Sequence, residues 1–148
     1  QYYCSINPTT YFQIDVKTDE GAFPAIETII KHDAVERVCI ASFNSGRLER
    51  IRNKYPQICT SMGPKEVIKL VLNSFNLYSK EISGECLQVP IYYYGIKVVT
   101  KRFIDFVQSK GLKIIVWTIN DESTFKELQK LNVDGVITDI PKKFIEIS

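Results

Sequence analysis

Apolar runs of strand length alternate with stretches of helical period along the whole chain, and this alternation limits the fold more than any single motif. Residues 11–16 read as a first strand. A helix follows over 23–32, with Phe23, Ile26, Ile29 and Ile30 on one face and Pro24 near its start. Residues 38–43 form a second strand. Ser45 is placed to cap the next helix, which carries Leu48, Ile51 and Tyr55 and stops at Pro56. A short strand over 58–61 leads to Gly63-Pro64 and a helix through Val67, Ile68, Val71, Leu72 and Phe75. The stretch 76–99 breaks the rhythm, with a short strand at 86–89 and an irregular excursion holding Tyr92, Tyr93 and Tyr94. Thr100 caps a helix closed by Gly111. Residues 112–118 form a continuously apolar strand, Asp121 caps a helix, 136–138 is a last strand, and Pro141 opens a final helical turn. No hairpin turn is legible. Repeated β-α-β units predict a parallel sheet covered by helices. A doubly wound open sheet and a (β/α)₈ barrel both fit. A closed barrel takes about 250 residues, whereas this chain has 148 and offers five main strands. No linker divides it, so residues 1–148 read as a single domain.

The charge balance narrows the partners. Nineteen Lys and Arg against 17 Asp and Glu leave a net +2, too little and too scattered for a nucleic-acid surface. No apolar run reaches the roughly 18 residues of a membrane span. Cys4, Cys39, Cys59 and Cys86 contain no CxxC, and with one histidine a Cys/His zinc site is not expected. Cys39 and Cys59 lie in apolar runs and read as small buried residues of a reducing compartment. With no signal peptide evident, the expected location is cytoplasmic. The chain begins with Gln1 rather than Met, which suggests that something upstream was cut or is missing.

In parallel α/β folds, functional groups gather at the carboxyl ends of strands. Those positions hold Asp15 and Lys17, Ser42 and Asn44, Ser61, Gln88, Trp117 and Asn120, and Asp139. A spacing of two puts Asp15 and Lys17 on one strand face. They are either an ordinary ion pair or a carboxylate for a divalent metal beside an ammonium for a phosphate. Trp117 is a pocket wall or plain core. His32 falls near a helix end, where contact with the helix C-terminus is the simple reading. Asp139 reads as an N-cap for the turn at Pro141 or as a pocket residue. There is no GxGxxG, P-loop or GxSxG motif.

Taken in order, Ile14-Asp15-Val16-Lys17, Ala41-Ser42-Phe43, Val116-Trp117-Thr118-Ile119-Asn120-Asp121 and Val133-Asp134-Gly135-Val136-Ile137-Thr138-Asp139-Ile140-Pro141 resemble the C-terminal part of the glycerophosphodiester phosphodiesterase family. Leu87-Gln88-Val89-Pro90 and Val98-Val99-Thr100 resemble a bacterial branch of it. The resemblance implies the C-terminal part, about strands 4–8, of a (β/α)₈ TIM barrel. It also implies hydrolysis of glycerophosphodiesters to an alcohol and glycerol 3-phosphate, within lipid and glycerol metabolism, using a divalent cation (Mg²⁺ or Ca²⁺) and two histidines. On that basis Asp15 falls on a metal carboxylate that is more often Glu. Lys17 falls on a phosphate-contacting catalytic lysine, and Trp117, Ser42 and Phe43 fall on substrate-pocket positions.

The family's His-Arg-Gly, Glu-x-Asp and His-Asp segments are absent from these residues. Lys31-His32-Asp33 does not replace the last, because it follows Asp15 in order and lies in a helix. The expectation is therefore an incomplete chain, inactive alone, with an open edge at 11–16 that invites self-association. The alternative is a non-catalytic half-barrel that binds a phosphate compound or assembles with a partner.

Overall fold

Parallel pairing begins at β1 (Phe12–Asp15), which lies beside β2 (Val38–Ala41), itself beside β3 (Cys59–Thr60). The structure, a computed structural model, describes residues 9–77 and 84–147. Phe12 is in register with Val38 and Ile14 with Ile40, so alternation sends these side chains to one sheet face. There they meet α1 (Asp19–Lys31) and α2 (Ser45–Lys54). Val16, Ala22, Ile26, Ile29, Ile40 and Ile51 are buried in this core, each large aliphatic contributing about 1.5–3 kcal/mol. The opposite face carries Gln13, Asp15 and Cys39.

A second parallel sheet has the order β4 (Cys86–Val89), β7 (Lys113–Val116), β8 (Gly135–Val136). Leu87 is in register with Ile114 and Val89 with Val116, and all four are essentially inaccessible. They pack on the apolar stripes of α4 (Lys101–Ser109), with Phe103, Ile104 and Val107, and α5 (Glu122–Lys130), with Phe125 and Leu128. Phe125 stacks on Phe144 of α6 (Pro141–Ile145) with centroids 4.4 Å apart. The chain falls into two compact units, residues 9–66 with 84–85, and 67–77 with 86–147. The remaining helix, α3 (Pro64–Ser74), starts in the first and runs on in the second.

The described residues hold six parallel strands, at the six strand segments read from the sequence. Several expectations are corrected. The described residues also contain a hairpin where none was legible, β5 (Tyr92–Tyr93) antiparallel to β6 (Ile96–Lys97). Its turn places Tyr94 and Gly95 at φ 47° and 79°, a geometry signalled most strongly by Asn-Gly. Tyrosine in the first turn position conceals it. Helix α1 starts at Asp19 because the Gly21 amide donates to Thr18 Oγ1 at 3.1 Å. Helix α2 is capped by Asn44 rather than Ser45, its Oδ1 accepting from the Arg47 amide at 3.0 Å. Cys39 and Cys59 are only half-buried, because they lie on the sheet face away from the helices; Cys86 is buried. Cys4 and residues 78–83 lie outside the described residues. Among the described residues, no helix is long and apolar enough to cross a membrane.

Candidate functional site

At the end of β1 the chain turns Val16 inward, 6% exposed, and leaves Asp15 and Lys17 outward on one face, their side chains paired. The Lys17 ammonium lies 5.3 Å from the Phe43 ring centroid, a cation–π distance. Phe43 is 63% exposed, so its ring is open to a ligand. Ser42 is buried, and its hydroxyl is fully used. It donates to Val16 O at 3.0 Å and accepts from the Asn44 amide at 3.2 Å and Arg47 Nη1 at 2.9 Å. Ser42 thus ties the ends of β1 and β2 together and holds Phe43 in place.

A cleft of about 530 Å³ opens beside these residues, lined among others by Lys17, Phe43, Asn44, Ser45, Arg47 and Lys65. Two helices begin at it. The Asn44 cap starts α2, and Gly63-Pro64 starts α3. The two starts approach so closely that a Cβ on Gly63 would stand 2.5 Å from Ser45 Oγ and 3.0 Å from Ser45 Cα. Only glycine fits there without displacing the loop. Arg47 is held from behind by Asp19, which also pairs with Arg50. Its hydrogen bond from Arg47, with Arg50 beside it, holds the Asp19 carboxyl below the usual carboxylate range. Lysines on the rim and two helix N-termini give the cleft positive potential, which suits a phosphate group. Sequence reasoning missed Arg47 and Lys65. Their signal was position, since both stand in the first turn of a helix that follows a strand end.

The metal expectation rests on Asp15 alone. A hard divalent cation takes six or more oxygens, and Asp15 supplies one carboxylate already paired with an ammonium. Among the described residues, no group of three or more His, Cys, Asp and Glu side chains could hold a metal ion, so these residues do not assemble such a site. His32 is the C-cap residue of α1, its amide donating to Thr28 O at 3.1 Å. That end of α1 leads toward the start of β2, away from the cleft at the strand ends.

Trp117 belongs to the second unit. It follows β7, is half-buried, donates its amide to Val89 O at 3.1 Å, and precedes Thr118 through a cis peptide. Beyond it, Asn120 joins two strand-end loops. Its Nδ2 donates to the Asp139 carboxylate at 2.7 Å, and its Oδ1 accepts from Thr138 Oγ1 and the Asp139 amide. Asp139 is therefore not a cap: Ile140 holds the N-cap position, without a side-chain bond, because Asn120 captures the carboxylate. Gln88 also faces this end of the unit, and its buried Nε2 has no hydrogen-bond partner.

The model of the glycerophosphoryl diester phosphodiesterase family matches residues 6–143. A glycerophosphodiester phosphodiesterase of Bacillus altitudinis is 28% identical over 139 residues, covering 90% of this chain and 54% of that protein. The solved structure of the Thermotoga maritima glycerophosphodiester phosphodiesterase superposes with a TM-score of 0.66 at 20% identity, covering 93% of this chain and 57% of that one. An Oleispira antarctica phosphodiesterase, solved with the product sn-glycerol-3-phosphate, gives a TM-score of 0.68 at 18% identity, covering 92% and 54%. The chain spans about half the length of the curated relatives it matches. The structural likeness gives the fold as part of a (β/α)₈ barrel. With a family model matched over nearly all its residues, the chain belongs to the glycerophosphoryl diester phosphodiesterase family.

Proposed function

We propose that this chain contributes the phosphate-holding part of a site that hydrolyses glycerophosphodiesters to an alcohol and glycerol 3-phosphate. The observation that carries the reading is the cleft at the ends of β1 and β2. It has Lys17 and Lys65 on the rim, Arg47 behind, and two helix N-termini opening on it. In the reaction the oxygen of a water bonds to phosphorus, the phosphorus–oxygen bond to the alcohol breaks, and the alcohol leaves with a proton. Lys17 offsets phosphate charge. Phe43 offers an apolar wall to a glycerol moiety, and Ser42 positions Phe43 and Lys17 through the bonds it makes. Members of the family are generally metal-dependent. Asp15 would give Mg²⁺ or Ca²⁺ one oxygen ligand, and when bound the cation would polarise the phosphodiester.

A second reading, a phosphate-binding half-barrel without chemistry of its own, is favoured by one observation: the single histidine, His32, caps α1 away from the cleft. Two measurements separate the readings. Calorimetric titration with glycerol 3-phosphate should show binding that Lys17→Ala and Lys65→Ala each weaken about tenfold, or ~1.4 kcal/mol. Release of glycerol 3-phosphate from glycerophosphocholine, with Mg²⁺ or Ca²⁺ and a chelator control, then reports chemistry. Binding with metal-dependent release supports the first reading, and binding without release supports the second. No binding to the wild-type chain would remove the cleft from both.

A further inference from the structure

The β5–β6 hairpin carries an exposed aromatic tip that the proposed chemistry does not use. Tyr92 is 58% exposed, Tyr93 40%, Tyr94 90% and Ile96 69%. Its base is fixed. The Val98 amide donates to Ile91 O at 2.9 Å, and Val98 and Val99 are buried. Tyr93 and Tyr94 pack edge to face with centroids 4.6 Å apart, so the tip is partly organised rather than loose.

Register decides what such a tip can touch. Tyr92 is paired with Lys97 and Tyr93 with Ile96, so one ribbon face presents Tyr92 and Lys97 and the other Tyr93 and Ile96. Both faces and the turn between them are exposed. A groove on a folded partner covers one face of a ribbon. A medium that surrounds the tip can cover both faces and the turn together. Tyrosine suits the boundary between lipid and water, with an apolar ring and a phenolic hydroxyl that stays hydrated. The charge agrees. Residues 86–102 contain Lys97, Lys101 and Arg102 and no Asp or Glu. Lys101 reaches Asp105, and Arg102 donates to Ser74 O, which leaves Lys97 as the charge carried by the hairpin itself. A lysine stem beside exposed rings can lie along apolar surface while its ammonium meets lipid phosphates.

We propose that the β5–β6 hairpin docks this protein on an anionic phospholipid surface, with Tyr92, Tyr94 and Ile96 entering the interfacial zone and Lys97 pairing with lipid phosphate. The docking stands apart from the proposed hydrolysis and is read without it. Co-sedimentation of the full chain with vesicles tests it, using phosphatidylcholine alone and phosphatidylcholine with one third phosphatidylglycerol. The expected result is binding to the mixed vesicles that weakens as salt rises from 0.1 to 0.5 M, about. The triple variant Tyr92→Ser, Tyr94→Ser, Ile96→Ser should lower the partition coefficient at least about tenfold. Lys97→Glu should weaken binding to the anionic vesicles only. Tyr11→Ser, at an exposed position elsewhere, should change nothing. If circular dichroism shows the triple variant misfolded, Tyr94→Ser alone carries the test, since that side chain is almost fully exposed. Wild-type protein that stays in the supernatant overturns the proposal. So does a triple variant that is folded and still binds, or a wild-type dimer that the hairpin substitutions disrupt while vesicles remain unbound.

Discussion

Asp121 carries a pH dependence that a single cap explains. Its Oδ2 accepts from Ser123 Oγ at 2.6 Å and from both the amide and the hydroxyl of Thr124 at 2.8 Å. The Ser123 hydroxyl and then the Thr124 donors pull its carboxyl down from the ordinary 3.8 to about 2. The folded value lies below the unfolded one, so the charged cap stabilises α5 fully above about pH 4, and that contribution is lost as pH falls through about 2. Asp121→Ala should therefore melt lower than wild type at pH 7, and the gap should narrow between pH 4 and pH 2 in thermal melts followed by circular dichroism. A gap that stays constant down to pH 2 would remove this account. This cap was legible because an acidic residue stands directly before an apolar helical period. The choice between Asn44 and Ser45 was not, since both are good cap types in adjacent positions. The Asp15–Lys17 pairing followed from a period of two. The saturation of Ser42 did not, because its partners Val16 and Arg47 lie outside any local pattern.

At the level of elements, Arg52 of α2 is the side chain that fixes β3 against the start of α3. Its guanidinium donates to Thr60 Oγ1 at 2.6 Å and Ser61 O at 2.9 Å, and grips both Glu66 oxygens at 2.8 and 3.1 Å. Glu66 in turn accepts from the Gly63 amide at 2.8 Å. Both side chains are largely shielded, at 19% and 15% exposure, so removing one partner strands a poorly solvated charge. Arg52→Leu should destabilise the fold by about 3 kcal/mol in urea titration. Arg52→Lys should recover only part of that, because an ammonium cannot form the two parallel bonds. Equal stability of Arg52→Leu and wild type would show that this grip contributes little. Neither Arg52 nor Glu66 could be read as partners from the sequence, since surface-like charges on two helices carry no periodic signal. The helices and long strands were readable from their apolar periods. The two-residue strands β3, β8, β5 and β6 were harder to bound, being too short to show a period, and the hairpin was lost because its turn uses Tyr94.

On the scale of the molecule, parallel β-α-β order was legible from alternation, and the family from four strand-end motifs taken together. The division of contacts between two units was not, because no change of composition marks it. The same alternation has a consequence for association. Among the described residues β1 pairs only with β2. The Val16 amide donates to Ala41 O at 2.8 Å, so donors of that parity, including Ile14, point at β2. The amides of Gln13 and Asp15 then point to the other side of β1, where no strand of the described residues lies. An unpaired strand side of this kind is a template for another copy. The 148-residue chain should therefore self-associate with rising concentration in sedimentation velocity. Gln13→Pro tests the route directly. It removes an outward donor and no bond to β2, and edge strands tolerate proline at such positions. The expected outcome is an association constant lowered at least about tenfold, or ~1.4 kcal/mol, with an unchanged thermal midpoint at low protein concentration. If the variant associates as the wild type does, the contact between copies lies elsewhere than β1. If neither associates, the charged Asp15 and Lys17 at this edge suffice to block pairing.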